Sequence, residues 1–467
     1  MKKFLKKVLI KLRLFGLYRS VKMCFGRAAV NKDLKRVLEV IERFPRNPEK
    51  KLVLITGHIM LQKKVNFQKM LDRIEAQMPD VQFLVLDEAR LENEGSCAAC
   101  GTARIEIPNL YGGARYIYRD EEFLEKIFEE KDYMFRALQS LSMRGRGRFF
   151  SQNLLYTYYE IYMQVIRCLH PDLVLVWSKF SATHSICDAV FKEHGIKVNY
   201  LEYGSLPGTY GLESFGQMGE SYPAREYQKF MELPVDEQEL MHADQVWQYL
   251  TDSGLNRNIQ VQDDVVRRVK DVMKKDRPLI VFAGNLDHDA GIIPYTKQSL
   301  LYHSPMFQTS QQALVYLAIL AEENDWNLVF KPHPSIASSY NPSSLPKNVI
   351  YIPAGNLNDL IDFSDVVVTL MSQTAYVSCI RKKPVVMLGY NQIRGKGCAY
   401  EAYTFDKIAP VITQAIEEGF TQKHRDAFRK HIAQMCKYYL FDDNADRDIR
   451  YGQDIDKVVS YLYRELA

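Results

Sequence analysis

Long apolar runs are missing from this chain of 467 residues. No stretch approaches the roughly 20 apolar residues of a membrane-spanning helix. The apolar residues near the start are interrupted by Lys11 and Arg13, which excludes the unbroken core of a secretory signal. Cysteine is sparse too: eight residues, irregularly placed, point to a reduced cytoplasmic protein rather than a disulfide scaffold. Cys97-Ala-Ala-Cys100 has metal or redox spacing but neither a second pair nor a nearby histidine, so it falls short of a four-ligand zinc site, and no metal is expected. Internal repeats and low-complexity segments are absent. A net charge of +4 is too mild to name a partner, and no nucleic acid is expected.

The remaining composition is that of a folded protein, with 47% apolar and 25% charged residues. At roughly 150 residues per domain, the length predicts two large domains. The basic residues are unevenly spread: Lys2, Lys3, Lys6, Lys7, Lys11, Arg13, Arg19 and Lys22 all precede the first acid, Asp33, with Phe4, Leu5, Val8, Leu9, Leu12 and Leu14 among them. Such a segment suits an amphipathic helix lying on an anionic membrane surface, or a solvated basic arm.

Strands and helices alternate from there. Lys51 to Thr56 and Val81 to Leu86 read as buried strands around a helix at Gln62 to Gln77, a βαβ opening. From Glu88 to Pro108 the pattern lapses into a loop. Helices come next at Glu121 to Ser142 and Gln152 to Leu169, the second rich in tyrosines at packing spacing. Asp172 to Trp177, a helix at Ala182 to His194, and Lys197 to Leu201 form a second βαβ unit, closed by Glu202-Tyr-Gly-Ser-Leu-Pro-Gly-Thr209. Helical segments then lead to a domain boundary near Lys275. A second sheet is predicted from Pro278 to Ala283, Asn327 to Phe330, Val349 to Ile352, Val366 to Thr369 and Pro384 to Leu388, with helices after it at Gln422 to Tyr438 and Asp454 to Leu466. The expected layout is a basic arm at 1–49, Rossmann-like doubly wound domains at 50–275 and 276–440 facing a cleft, and a C-terminal helix at 441–467.

In open α/β sheets, ligands collect at the carboxyl ends of strands. Two of these ends are rich in polar groups. Lys331-Pro-His-Pro334 holds His333 between two prolines that stiffen an extended backbone, and a histidine beside a lysine suits a phosphate. Ser372-Gln-Thr374 leads into a helix, where hydroxyls and N–H groups converge on an anion or simply cap the helix. Asp289 and Glu202 are candidate acid/base or nucleophilic carboxylates, expected from opposite domains, and Asp287 reads as part of a solvated loop. Arg394 and Lys396, in Asn391-Gln-Ile-Arg-Gly-Lys-Gly397, are candidate phosphate partners or members of a solvated loop; the loop lacks the ending of a P-loop.

Taken in order, Glu202-Tyr-Gly-Ser-Leu-Pro-Gly-Thr209, the Asp289 loop, Lys331-Pro-His-Pro334, Ser364-Asp-Val-Val-Val-Thr369, Ser372-Gln-Thr374 and Lys383-Pro-Val-Val-Met-Leu-Gly389 resemble the capsular polysaccharide biosynthesis family of bacterial glycosyltransferases. The resemblance implies a GT-B fold and a metal-independent enzyme without a cofactor. It also implies a peripheral position at the inner face of the cell membrane, and transfer of a sugar from a nucleotide donor, such as a CMP-sugar, to a glycan or lipid-linked acceptor. By the same analogy His333, Ser372 and Thr374 contact the nucleotide phosphate, beside Lys331, and a carboxylate such as Asp289 is catalytic. The split Ser-Gln-Thr pair, where relatives have adjacent hydroxyls, departs from that pattern. A sugar-nucleotide epimerase of the same fold and a non-catalytic assembly subunit are the rival expectations.

Overall fold

The computed structural model describes residues 31–56, 65–87, 103–107, 119–256, 260, 263–442 and 449–467. The basic arm up to residue 30 and the Cys97/Cys100 pair lie outside the described residues. The chain divides into two compact units, residues 1–198 with 462–467, and residues 199–461. Both are α/β.

In the first unit, β1 (Lys51–Thr56) lies between β2 (Val81–Asp87) and β4 (Leu173–Trp177), and β3 (Ala103–Glu106) extends the sheet beyond β2, all parallel. β1 and β4 are almost wholly buried, which is why they read as unbroken apolar runs. β3 falls in the stretch expected to be a loop; it is a four-residue strand paired on β2. The helix expected at Glu121 to Ser142 is two helices, Glu121–Glu130 and Asp132–Met143, because Lys131 adopts an extended backbone between them while its ammonium reaches Glu193.

The division falls inside β5 (Lys197–Tyr203), not near Lys275. The cause is the pairing and packing of residues 209–253. β6 (Thr209–Glu213) pairs antiparallel with β5 and with the later β13 (Leu440–Asp442). The helix Glu237–Ser253, opened by a capping box of Asp236 and Glu239 and stopped by Gly254 at φ 58°, buries Val246, Trp247 and Leu250 in one core with Val367, Ala375, Val385 and Phe428. Trp247 Nε1 donates to the Ile380 carbonyl (2.9 Å), fixing the segment to the second unit.

That unit holds a six-stranded parallel sheet of β7 (Leu279–Ala283), β8 (Asn327–Lys331), β9 (Val349–Tyr351), β10 (Val366–Thr369), β11 (Val385–Met387) and β12 (Tyr400–Glu401). Their order is β12-β11-β10-β7-β8-β9. The first strand is therefore central, with its successors winding out to one side and then the other, the doubly wound arrangement. Alternate residues serve two covered faces. Phe282, Phe330 and Val368 pack with Leu314 and Leu317 on one face, while Val281 and Val329 on one side of the sheet, and Val367 and Val385 on the other, face separate cores opposite. Side chains buried on both faces explain why these strands carry no polar alternation.

Candidate functional site

The direction of winding reverses between β7 and β10, so the crevice beyond their carboxyl ends is the topological switch point. β7 has β8 on its other side. Three neighbouring strand ends therefore meet here, with Ser372 and Thr374 after β10, Asn285 after β7, and Lys331 and His333 at the end of β8. Thr369 Oγ1 donates to the Ala283 carbonyl (2.9 Å) and accepts from Ser372 N, locking the end of β10 to the end of β7.

After β10, Gln373 intervenes without separating the two hydroxyls: Ser372 Oγ and Thr374 Oγ1 lie 3.0 Å apart, and Ser372 Oγ also accepts from Thr374 N (3.2 Å). The split spacing thus still yields a hydroxyl pair. Lys331 is 7% exposed, and burial holds its ammonium pKa below the usual lysine range, with the Asp263 carboxylate opposing that shift. His333 precedes a short 3-10 turn, and its Nδ1 accepts from Ser335 N (3.3 Å). An accepting Nδ1 places the proton of the neutral ring on Nε2, the nitrogen then able to donate to an anion.

Glu202, the penultimate residue of β5, lies in the second unit, and so does Asp289, so the two carboxylates do not come from separate units. The Glu202 carboxylate accepts from Met218 N (3.3 Å), Gln392 Nε2 (3.4 Å) and the Tyr439 hydroxyl (3.4 Å). Next to Gln392, Asn391 Nδ2 reaches the carbonyls of Met371 and Ser372, both at 3.5 Å. A connected polar path therefore runs from Glu202 through the 391–392 turn to Ser372. Gln392, Asn391 and Tyr439 escaped the sequence reading because their role arises from loop packing; no local motif marks them.

Asp287 is not part of a solvated loop. It is 8% exposed, and its two oxygens take the Ser310 N–H (2.8 Å) and hydroxyl. Burial raises its pKa while the Ser310 bonds oppose the rise. It clamps the loop after β7 to the helix Ser310–Glu323. Asp289, two residues on, is half-buried with its N–H on the Leu286 carbonyl.

Arg394 and Lys396 sit beyond β11 in different settings. The Arg394 guanidinium lies over the Tyr390 ring (3.8 Å to the centroid) and is half-buried. Lys396 is 7% exposed, its ammonium bonded to the carbonyls of Pro223 and Arg394, and burial pushes its pKa down to about 7. Its contacts are those of an internal brace. Among the described residues, no group of three or more His, Cys, Asp or Glu side chains is arranged to hold a metal ion.

Residues 241–409 match the family model described as capsule polysaccharide biosynthesis protein. No curated protein matches the sequence. Among solved structures, the Thermosulfurimonas dismutans KpsC β-Kdo 2,7 transferase is similar with 15% identity and a TM-score of 0.43, over 89% of this chain and 99% of that one. The β-Kdo 2,4 transferase of the same KpsC shares 15% identity over 58% of this chain and 81% of its own, with a TM-score of 0.40. The calicheamicin glycosyltransferase CalG4 shares 10% over 89% and 98%, with a TM-score of 0.35. Likenesses this distant add nothing to the site. The family match spans residues 241–409, the stretch that carries β7 to β12 and their polar ends.

Proposed function

We propose that this protein is a metal-independent glycosyltransferase of bacterial capsular or surface polysaccharide synthesis, taking a sugar from a nucleotide donor, with a CMP-sugar the first to test, and passing it to a glycan or lipid-linked acceptor. The observation that carries this reading is the gathering of Lys331, His333, Ser372 and Thr374 on strand ends either side of β7, at the switch point of the sheet within the family-matched span. Cations and hydroxyls in that position suit the phosphate of the donor.

In the transfer, the bond between the anomeric carbon and the phosphate oxygen breaks while an acceptor oxygen bonds to that carbon and gives up its proton. Two charges then need homes. The departing nucleotide keeps the electron pair, and the Lys331 ammonium, the His333 Nε2–H and the Ser372–Thr374 hydroxyls offset its charge. The acceptor proton goes to a carboxylate, with Asp289 and Glu202 as the candidates. Glu202 already holds three hydrogen-bond donors, which fix its orientation.

The basic start would hold the enzyme at the anionic inner face of the cell membrane. The adjoining described residues support this: Arg36, Arg43 and Arg104 line a groove beside helix residues 31–42 and β3, with Glu39 the one acid among its lining residues.

Thermal unfolding with cytidine, uridine and guanosine nucleotides tests the reading, because a ligand bound only by the folded state raises Tm by mass action. One nucleotide is expected to raise it, and His333→Ala is expected to remove the rise while leaving the unliganded Tm within a few degrees. No rise with any nucleotide would sink the proposal. Formation of an epimerised sugar nucleotide without any acceptor would indicate an epimerase instead.

A further inference from the structure

The residue best placed at the switch point is one that no motif announces. Asn285 follows β7 directly after Gly284, so it stands on the middle of the three converging strand ends, between the Ser372–Thr374 hydroxyls and Lys331 with His333. Its backbone is held firmly, because Asn285 N donates to Ser310 Oγ (3.2 Å) and that hydroxyl donates in turn to Asp287. Its side chain is 4% exposed, yet neither Oδ1 nor Nδ2 has a hydrogen-bond partner.

That combination is costly. A buried carboxamide without partners has given up its water bonds and received nothing in return, and folded proteins keep few such groups. A leucine, with the same branching of heavy atoms and no polar group, would carry no such desolvation cost. The amide is also not a product of loose packing, since Gly284 N donates to the Lys331 carbonyl (2.9 Å) and Asn285 N and Asp287 are both tied to Ser310.

We propose that the Asn285 carboxamide is a donor-binding contact, reserved for a hydroxyl-bearing ring adjoining the phosphate of the nucleotide sugar. The inference rests on the nucleotide-donor reading and deepens it. The chemistry comes from the two unsatisfied ends: Nδ2–H needs an acceptor and Oδ1 needs a donor. An ionised phosphate offers acceptors only and would satisfy one end. A sugar hydroxyl both donates and accepts, and a ring carrying neighbouring hydroxyls serves both ends at once. Two rings adjoin that phosphate, the ribose of the nucleotide and the transferred sugar. A buried group left unpaired by the wrong ligand discriminates strongly against ligands lacking the matching hydroxyl. Because both amide atoms are shielded from solvent, the contact is made by a small rotation of the side chain toward the crevice as the ligand seats.

The test compares the wild type with Asn285→Leu and Asn285→Ala by thermal unfolding. Probes are cytidine monophosphate and uridine diphosphate, their 2′,3′-dideoxy counterparts, and CMP-linked and UDP-linked sugars. Without ligand, N285L is expected to melt at or above the wild-type temperature, because an unsatisfied amide has been removed. Its shift with ligand is expected to fall below half the wild-type value, and N285A should lose the shift likewise. If the ribose is the partner, the wild type also loses most of its shift with the dideoxy nucleotide, and N285L does not distinguish the two nucleotides. If the transferred sugar is the partner, the extra shift given by the sugar nucleotide over the free nucleotide disappears in N285L. A wild-type shift retained in full by N285L overturns this inference alone. N285L failing to fold overturns it as well, because the amide would then be supporting the fold. A wild type that shifts with no probe overturns the nucleotide reading together with this one.

Discussion

Single residues in this protein have roles set by burial more than by type. Lysines show it most clearly: Lys331 and Lys396 are equally exposed, at 7%, yet one ends a strand at the switch point and the other caps carbonyls inside the fold. Lys396 has a measurable consequence. Burial lowers its pKa from 10.5 to about 7, so between those values the unfolded chain holds a proton that the folded chain has lost. Where the unfolded state binds more protons, stability rises with pH. Below pH 7 both states carry the charge and the folded state bears its full burden. In Lys396→Met that dependence is absent, so the stability of the wild type relative to the variant should improve by about 2 kcal/mol from pH 7.5 to 9.5, given about 1.4 kcal/mol per unit. Urea unfolding at the two pH values measures it; a difference that stays flat would mean the ammonium is better solvated than its burial indicates.

At the scale of elements, the loop after β7 is the part most dependent on one side chain. Asp287 binds both the N–H and the hydroxyl of Ser310 at the first turn of the helix Ser310–Glu323, while its own carbonyl accepts from Ile292 N and Ile293 N. Asp287→Ala strips Ser310 of its acceptors and should cost about 1–3 kcal/mol, the usual penalty for orphaned buried groups. The expected sign is a lower urea midpoint at unchanged slope, and a midpoint within error of the wild type would contradict the clamp. The strands of this sheet were legible in the sequence because a parallel sheet covered on both faces demands runs such as Leu279–Ala283 and Val366–Thr369. β3, β6, β12 and β13 were not, since strands of two to five residues at edges or in antiparallel pairs leave little periodicity to read. The same distinction governs the site. Lys331, His333, Ser372 and Thr374 could be picked out because they interrupt apolar runs, whereas Asn285 and Gln392 gain meaning only from strand order and loop packing. Asp287 was misplaced for a related reason: nothing near it in sequence signals a serine that lies 23 residues away.

For the whole molecule, the proposed attachment to membrane and the proposed binding of nucleotide fall to separate segments. Removing residues up to about Asn31 deletes the basic arm and leaves every strand of both sheets in place. The shortened protein is therefore expected to move from the membrane fraction to the soluble fraction while keeping its nucleotide-induced rise in Tm. Unchanged fractionation would retire the proposed membrane role of the arm, and a lost nucleotide response would tie the arm to the fold.

The division of the chain has one more outcome. Residues 462–467 return to the unit formed by the first 198, where Leu462 is buried, Glu465 accepts from Lys197 Nζ (2.8 Å) and the Tyr463 hydroxyl donates to Asp80 (2.5 Å). Domains in long chains ordinarily complete themselves in the order of their synthesis. Here the first 198 residues are completed only by residues 462–467, made after the whole of the second unit, so the earlier unit stays open at that socket until they emerge and the later one can close before it.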